Sequence, residues 1–173
     1  MEILTRRLKI APITINEFES MCMYAMDREN IKMMVFLPAD SREEVLEKIT
    51  AAVNEMKKEH PEYLEYAVFR DGEHIGGLSV YFFDNLEGCE LGWLFRNDCR
   101  GQGYAAEAAA GLIDYFYREK GINRFIAQCD TENHASRRVM EKLGMKHVNT
   151  VGGRKNRGSD EERTEYLYEL ILK

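Results

Sequence analysis

The chain of 173 residues is 45% hydrophobic and 31% charged, and 30 Asp+Glu against 24 Lys+Arg leave a net charge of -6. A single domain over residues 1–173 is expected, with about two-thirds of the unfolded surface buried on folding and no need of a disulfide or structural metal. The acidic balance argues against a protein that wraps nucleic acid, since phosphates call for a basic face. Cys22, Cys89, Cys99 and Cys129 show neither C-x-x-C spacing nor a pairing with histidines, so they read as free thiols in a reducing compartment, without a metal site. No stretch has the character of a signal peptide or the length to span a bilayer, which predicts a cytosolic protein with no membrane partner.

Residues 8–13 read as a first strand, and Asn16-Glu17 opens an apolar-periodic helix to about Met26. Ser41 and Glu44 make a capping box, after which Val45, Ile49, Val53 and Met56 recur at helical spacing. Beyond Pro61 the period changes to two. Tyr66 and Val68 alternate with polar neighbours, Asp71-Gly72 supplies a hairpin turn, and residues 75–83 return as a strand in which Gly76-Gly77 predicts a bulge. A turn over residues 84–88 leads to a third strand, residues 89–95, with Glu90, Gly92 and Leu94 on one face. A helix over residues 104–120 ends at Gly121, a short strand covers residues 125–129, and a helix from Asn133 or Ala135 stops at Gly144. Strands over residues 145–150 and 166–172 complete a mixed α/β order with a βαβ crossover in its middle.

Between a strand and the long helix lies Arg100-Gly101-Gln102-Gly103-Tyr104-Ala105. Glycines let the backbone approach an anion, and the first N–H groups of the helix lack intrahelical partners and carry the positive end of its dipole. A glycine-rich turn also has purely structural uses. Gly101, Gly103 and Ala106 satisfy G-x-G-x-x-A, yet the acidic residue expected about 20 positions on would be Glu119, inside a helix, so a dinucleotide fingerprint fails. No Gly-Lys-Ser or Gly-Lys-Thr is present to form a Walker loop.

Arg100-x-x-Gly103-x-Ala105 resembles the R/Q-x-x-G-x-G/A signature of the GNAT acetyltransferase superfamily, and Asn133-x-x-Ser136 through Glu141-Lys142-x-Gly144-Met145 resembles its second motif. The combination is most similar to the RimJ/RimL branch, which acetylates protein N-termini; polyamine acetyltransferases are similar in length and motif. The resemblance covers residues 8–172. It implies an α/β (α+β) GNAT fold, a mixed and mostly antiparallel sheet of about six to seven strands flanked by about four helices. It further implies transfer of the acetyl group of acetyl-CoA to a primary amine of a peptide N-terminus, a polyamine or another small molecule, with no metal and no nucleic acid. A homodimer is one arrangement such a fold allows. The alternative is a sensor that binds acyl-CoA without catalysis.

The same resemblance implies a strand bulged over Glu90 to Phe95, with the backbone of Leu94, Phe95 and Arg96 paired to the pantetheine arm. Arg100 and the N–H groups of Gly101, Gln102, Gly103, Tyr104 and Ala105 would hold the pyrophosphate. Asn133 would serve both as an N-cap and as a pantetheine partner, while Arg137 and Arg138 reach a phosphate or are solvated. Acetylating an amine requires a base and a donor for the leaving thiolate. Glu90 is the candidate base, with Glu165 in reserve; the bland alternative is a carboxylate that only attracts a cation. Many family members carry Tyr where this chain has Met140, so Ser136 is the nearest hydroxyl, unless it is only a local cap. Cys99 has no nearby His, which favours direct transfer over an acetyl-enzyme. Trp93 is expected in the core, and Tyr24, Tyr63, Tyr66 and Tyr81 either pack or line an acceptor pocket. Arg154-Lys155-x-Arg157 reads as a solvated loop over that pocket.

Overall fold

Thr14 starts the first helical layer: its hydroxyl accepts the Asn16 N–H while the Glu17 carboxylate takes the Thr14 N–H. In this computed structural model, which describes residues 1–35, 39–83 and 88–173, two strands precede that cap, β1 (Ile3–Leu4) and β2 (Lys9–Pro12). Three helices follow, α1 (Phe18–Ala25), α2 (Arg28–Ile31) and α3 (Arg42–Glu55). The Ser41 hydroxyl caps α3 as expected, but the Glu44 carboxylate reaches the Asp40 N–H at 2.8 Å instead of closing the box on Ser41. Val45, Ile49 and Ala52 form its buried stripe.

The meander is β3 (Tyr63–Arg70), β4 (Glu73–Phe83) and β5 (Gly88–Phe95). Asp71 and Gly72 turn the first hairpin with φ of 50 and 83, the pair of positive angles that matches the twist of its strands. The predicted bulge falls at Ile75, where the β3–β4 register skips a residue next to Gly76. The expected turn before β5 lies outside the described residues. Then come α4 (Tyr104–Lys120), β6 (Arg124–Asp130), α5 (His134–Lys142), β7 (Lys146–Lys155) and β8 (Glu162–Ile171).

Among the described residues eight strands form one sheet in the order β1-β2-β3-β4-β5-β6-β8-β7. The strand and helix beyond the expected numbers are β1 and α2, of two and four residues, too short to carry a periodic signal. The β4–β5 ladder runs without a register shift, so the bulge expected in β5 is absent from its pairing with β4. Instead β5 pairs with β6, in parallel, only over Gly88 to Glu90, and beyond that point the two strands part. One face of the sheet packs Ile10, Val68, Leu78 and Leu91 against Leu112 and Phe116 of α4; the other packs Ala67 and Leu94 against α1 to α3. Among the described residues no helix is long and apolar enough to cross a membrane, and no group of three His, Cys, Asp or Glu is placed to hold a metal ion.

Candidate active site

A cavity of about 1030 Å³ occupies the split between β5 and β6. Antiparallel alternation decides which β5 amides face it. The Arg96 N–H donates to Ile75 O at 3.0 Å, so Arg96, and two residues back Leu94, turn their backbone groups toward β4. Of the three residues expected to pair with a ligand only Phe95 presents its backbone to the gap, and Trp93 joins it. Trp93 lines the cavity and packs against the core rather than being enclosed by it.

The glycine loop forms a second wall. Gly101 and Gly103 take φ of 76 and 83, and Gly103 stands at the N-cap of α4 with no side chain to satisfy the first N–H groups. Tyr104 is buried, with the Arg7 guanidinium 4.5 Å and the Arg70 guanidinium 5.3 Å from its ring centre. Its hydroxyl donates to Gln102 Oε1 at 2.9 Å. Arg7 also donates to Gln102 O and pairs with Glu107 at 2.6 Å, bolting the loop to α4. Sequence reasoning missed Arg7; the only hint was an acidic residue in the first turn of α4. Arg100 lines the cavity, and its Nη2 donates to Asn30 O at 2.9 Å and to Asn30 Oδ1, so this arm of the guanidinium ties the loop to α2. Burial and the neighbouring Asp98 push the Cys99 thiol up, the wrong direction for a nucleophile.

At the third wall, Asn133 Oδ1 accepts the Ser136 N–H at 3.1 Å and caps α5. Ser136 lines the cavity beside Cys129, whose thiol burial pushes up to about 11. Met140 is fully buried in the core and does not reach the cavity. Arg138 does reach it, whereas Arg137 pairs with Glu141 at 2.9 Å.

Facing these walls is a carboxylate-rich surface. Glu90 is half-buried, with Gln128 Nε2 3.5 Å from Oε2. Burial raises its pKa first, the nearby Glu165 raises it further, and Arg154 opposes both. Arg154 pairs with Glu165 at 2.6 Å and spends its other nitrogens on Asn156 Oδ1 and Met33 O. With 8% of its side chain exposed, Arg154 is no part of a solvated loop. Arg157 donates its N–H to Met34 O and its guanidinium to Glu44, while only Lys155 of that patch is exposed. The β7–β8 hairpin is therefore strapped to the segment before α3. Glu65, which sequence reasoning passed over, also lines the cavity; it accepts from Ser79 Oγ at 2.8 Å, and burial pushes its pKa up to about 7.

A mixed sheet split at its parallel seam, with a glycine-bounded helix N-terminus beside the split, defines an acyltransferase scaffold. Residues 7–146 match the family model described as an acetyltransferase (GNAT) domain, and the chain belongs to that family. It is 31% identical over 149 residues to the uncharacterized N-acetyltransferase YnaD of Bacillus subtilis (strain 168), covering 84% of this chain and 83% of that protein. An acetyltransferase of the GNAT family from Bacillus anthracis superposes with a TM-score of 0.87 at 26% identity, over 99% of this chain and 98% of the other. RimL, a ribosomal L7/L12 alpha-N-protein acetyltransferase in complex with coenzyme A, superposes at 0.89 over 99% and 98%, with 16% identity, and so shares the fold.

Proposed function

We propose that the chain transfers the acetyl group of acetyl-CoA to a primary amine by direct attack in a ternary complex. One observation carries this reading: the split between β5 and β6 joins the uncapped N-terminus of α4 to a half-buried carboxylate, Glu90, in one cavity. The residues present suit the co-substrate. The free N–H groups at the start of α4 match a diphosphate, and the gap-facing amides of Trp93 and Phe95 can pair with an amide-bearing arm as an added strand would. Acetyl-CoA supplies the acetyl thioester.

The acceptor arrives as an ammonium with a pKa of about 10 and attacks only once a proton has left. Glu90, its proton affinity raised by burial and by Glu165, receives that proton. As the N–C bond forms and the C–S bond breaks, the nitrogen gives up its second proton to the Ser136 hydroxyl, which passes its own to the departing sulfur, so amide and free thiol leave and Ser136 is unchanged; Met140 is sealed in the core. Glu165 is already engaged by Arg154 at 2.6 Å, which leaves Glu90 as the carboxylate available to the acceptor.

The test is thiol release from acetyl-CoA by the purified chain, against peptide N-termini, polyamines and other small amines. Glu90→Gln should lower turnover by about 100-fold or more while acetyl-CoA still raises the melting temperature. A wild-type rate in that variant removes Glu90 as base. Failure of acetyl-CoA to shift the melting temperature removes the co-substrate, and a shift without turnover on any amine favours the sensor.

A further inference from the structure

Two rows of side chains cross β3, β4 and β5 on the cavity face. Register sets Tyr63 opposite Tyr81 and Tyr81 opposite Glu90, and the next row is Glu65, Ser79 and Gly92. All six line the cavity. Proton transfer uses Glu90 alone, which leaves a carboxylate, a hydroxyl and two aromatic rings without a role.

Among the described residues Glu65 forms no ion pair; it accepts from Ser79 Oγ at 2.8 Å, and burial raises its pKa against that hydrogen bond. A half-buried carboxylate with a single neutral donor is stabilised either by a proton or by a cation placed beside it, and the cavity it lines leaves room for the cation. Tyr63 and Tyr81 stack beside it, ring centres 5.7 Å apart. Register sets the Tyr63–Tyr81 row next to the Glu65–Ser79 row, and Tyr24 lines the same cavity. Gly92 keeps the space above Ser79 open, where a Cβ would stand 3.4 Å from the Ser79 Cβ. Aromatic rings beside a carboxylate suit an organic cation.

We propose that Glu65, with Tyr63 and Tyr81, is a specificity subsite for a second cationic group on the acceptor, so that preferred acceptors carry two positive charges. The inference rests on the transfer reading above for which amine reacts. Glu65 and Glu90 lie two strands and one row apart, roughly 12 Å between Cα atoms, and this sets the spacing of the charges that can be engaged together.

The test titrates linear diamines of increasing length, and the alkyl monoamine of each length, calorimetrically into the full chain loaded with coenzyme A; thiol release from acetyl-CoA is followed in parallel. The best diamine should bind about tenfold tighter than its monoamine. Glu65→Gln, which still accepts from Ser79, should bring that ratio close to one, and Tyr81→Leu, at a position 40% exposed, should reduce it several-fold with the circular dichroism of the wild type. Equal or absent binding of the two amines, or a preference that survives Glu65→Gln, overturns the subsite. A binding preference lost in Glu65→Gln, but without thiol release from any amine, upholds the subsite and overturns the transfer reading instead.

Discussion

Glu165 lines the same cavity as Glu90. It is paired with Arg154 at 2.6 Å, yet its charge still raises the proton affinity of Glu90, while Arg154 lowers it. Glu165→Gln removes the repelling charge and leaves Arg154 in place, so the Glu90 pKa falls. A base must be deprotonated to work, and activity rises as pH passes its pKa; the acid limb of kcat/KM therefore moves to lower pH in this variant. A full pH profile reads that shift separately from any loss in maximal rate. An acid limb that stays in place would mean that Glu165 does not tune the base.

The loop between β5 and α4 depends on two left-handed glycines. An alanine Cβ at Gly103 would meet only Arg7 Nη2 at 3.7 Å, an ordinary contact, so the cost lies in the backbone angle. Gly103→Ala should destabilise the chain by about 1–2 kcal/mol and weaken acetyl-CoA binding, both visible in thermal unfolding with and without the ligand. This loop was legible in the sequence because its physics is local: glycines that must take positive φ, and an unpaired helix start. The cap at Asn133 and the Asp71-Gly72 hairpin were legible for the same reason. Glu65 was not, because nothing in Tyr63-Leu-Glu-Tyr distinguishes a buried carboxylate from a solvated one until register brings Ser79 and Tyr81 alongside. Arg154 was misread as solvated because its carbonyl partner, Met33, is 121 positions away. The resemblance named β5 as the strand expected to pair with a ligand, but which of its amides face the gap follows from the ladder to β4.

Across the whole molecule, Asp130 fastens the far side of the sheet. It is fully buried at the end of β6 and accepts from Arg163 with both oxygens, from Asn156 at 2.8 Å and from the Glu132 N–H at 2.9 Å. Burial pushes its pKa up, but these donors outweigh it and hold the carboxyl at about 2. The folded value is thus below the unfolded one, so the stabilisation is full above the ordinary aspartate range and is lost as pH falls through about 2. Asp130→Asn should cost about 3 kcal/mol at neutral pH and flatten the loss of stability in acid, as urea unfolding across that range would register.

The strap from Arg154 and Arg157 to Met33 and Met34 also has a meaning in time. A ribosome adding roughly 5–20 residues per second takes roughly 6–24 seconds to pass from one end of that strap to the other. The glycine loop and its helix are complete on the growing chain well before then. The carboxylate-lined wall of the cavity closes only when β8 has been released and has inserted between β6 and β7.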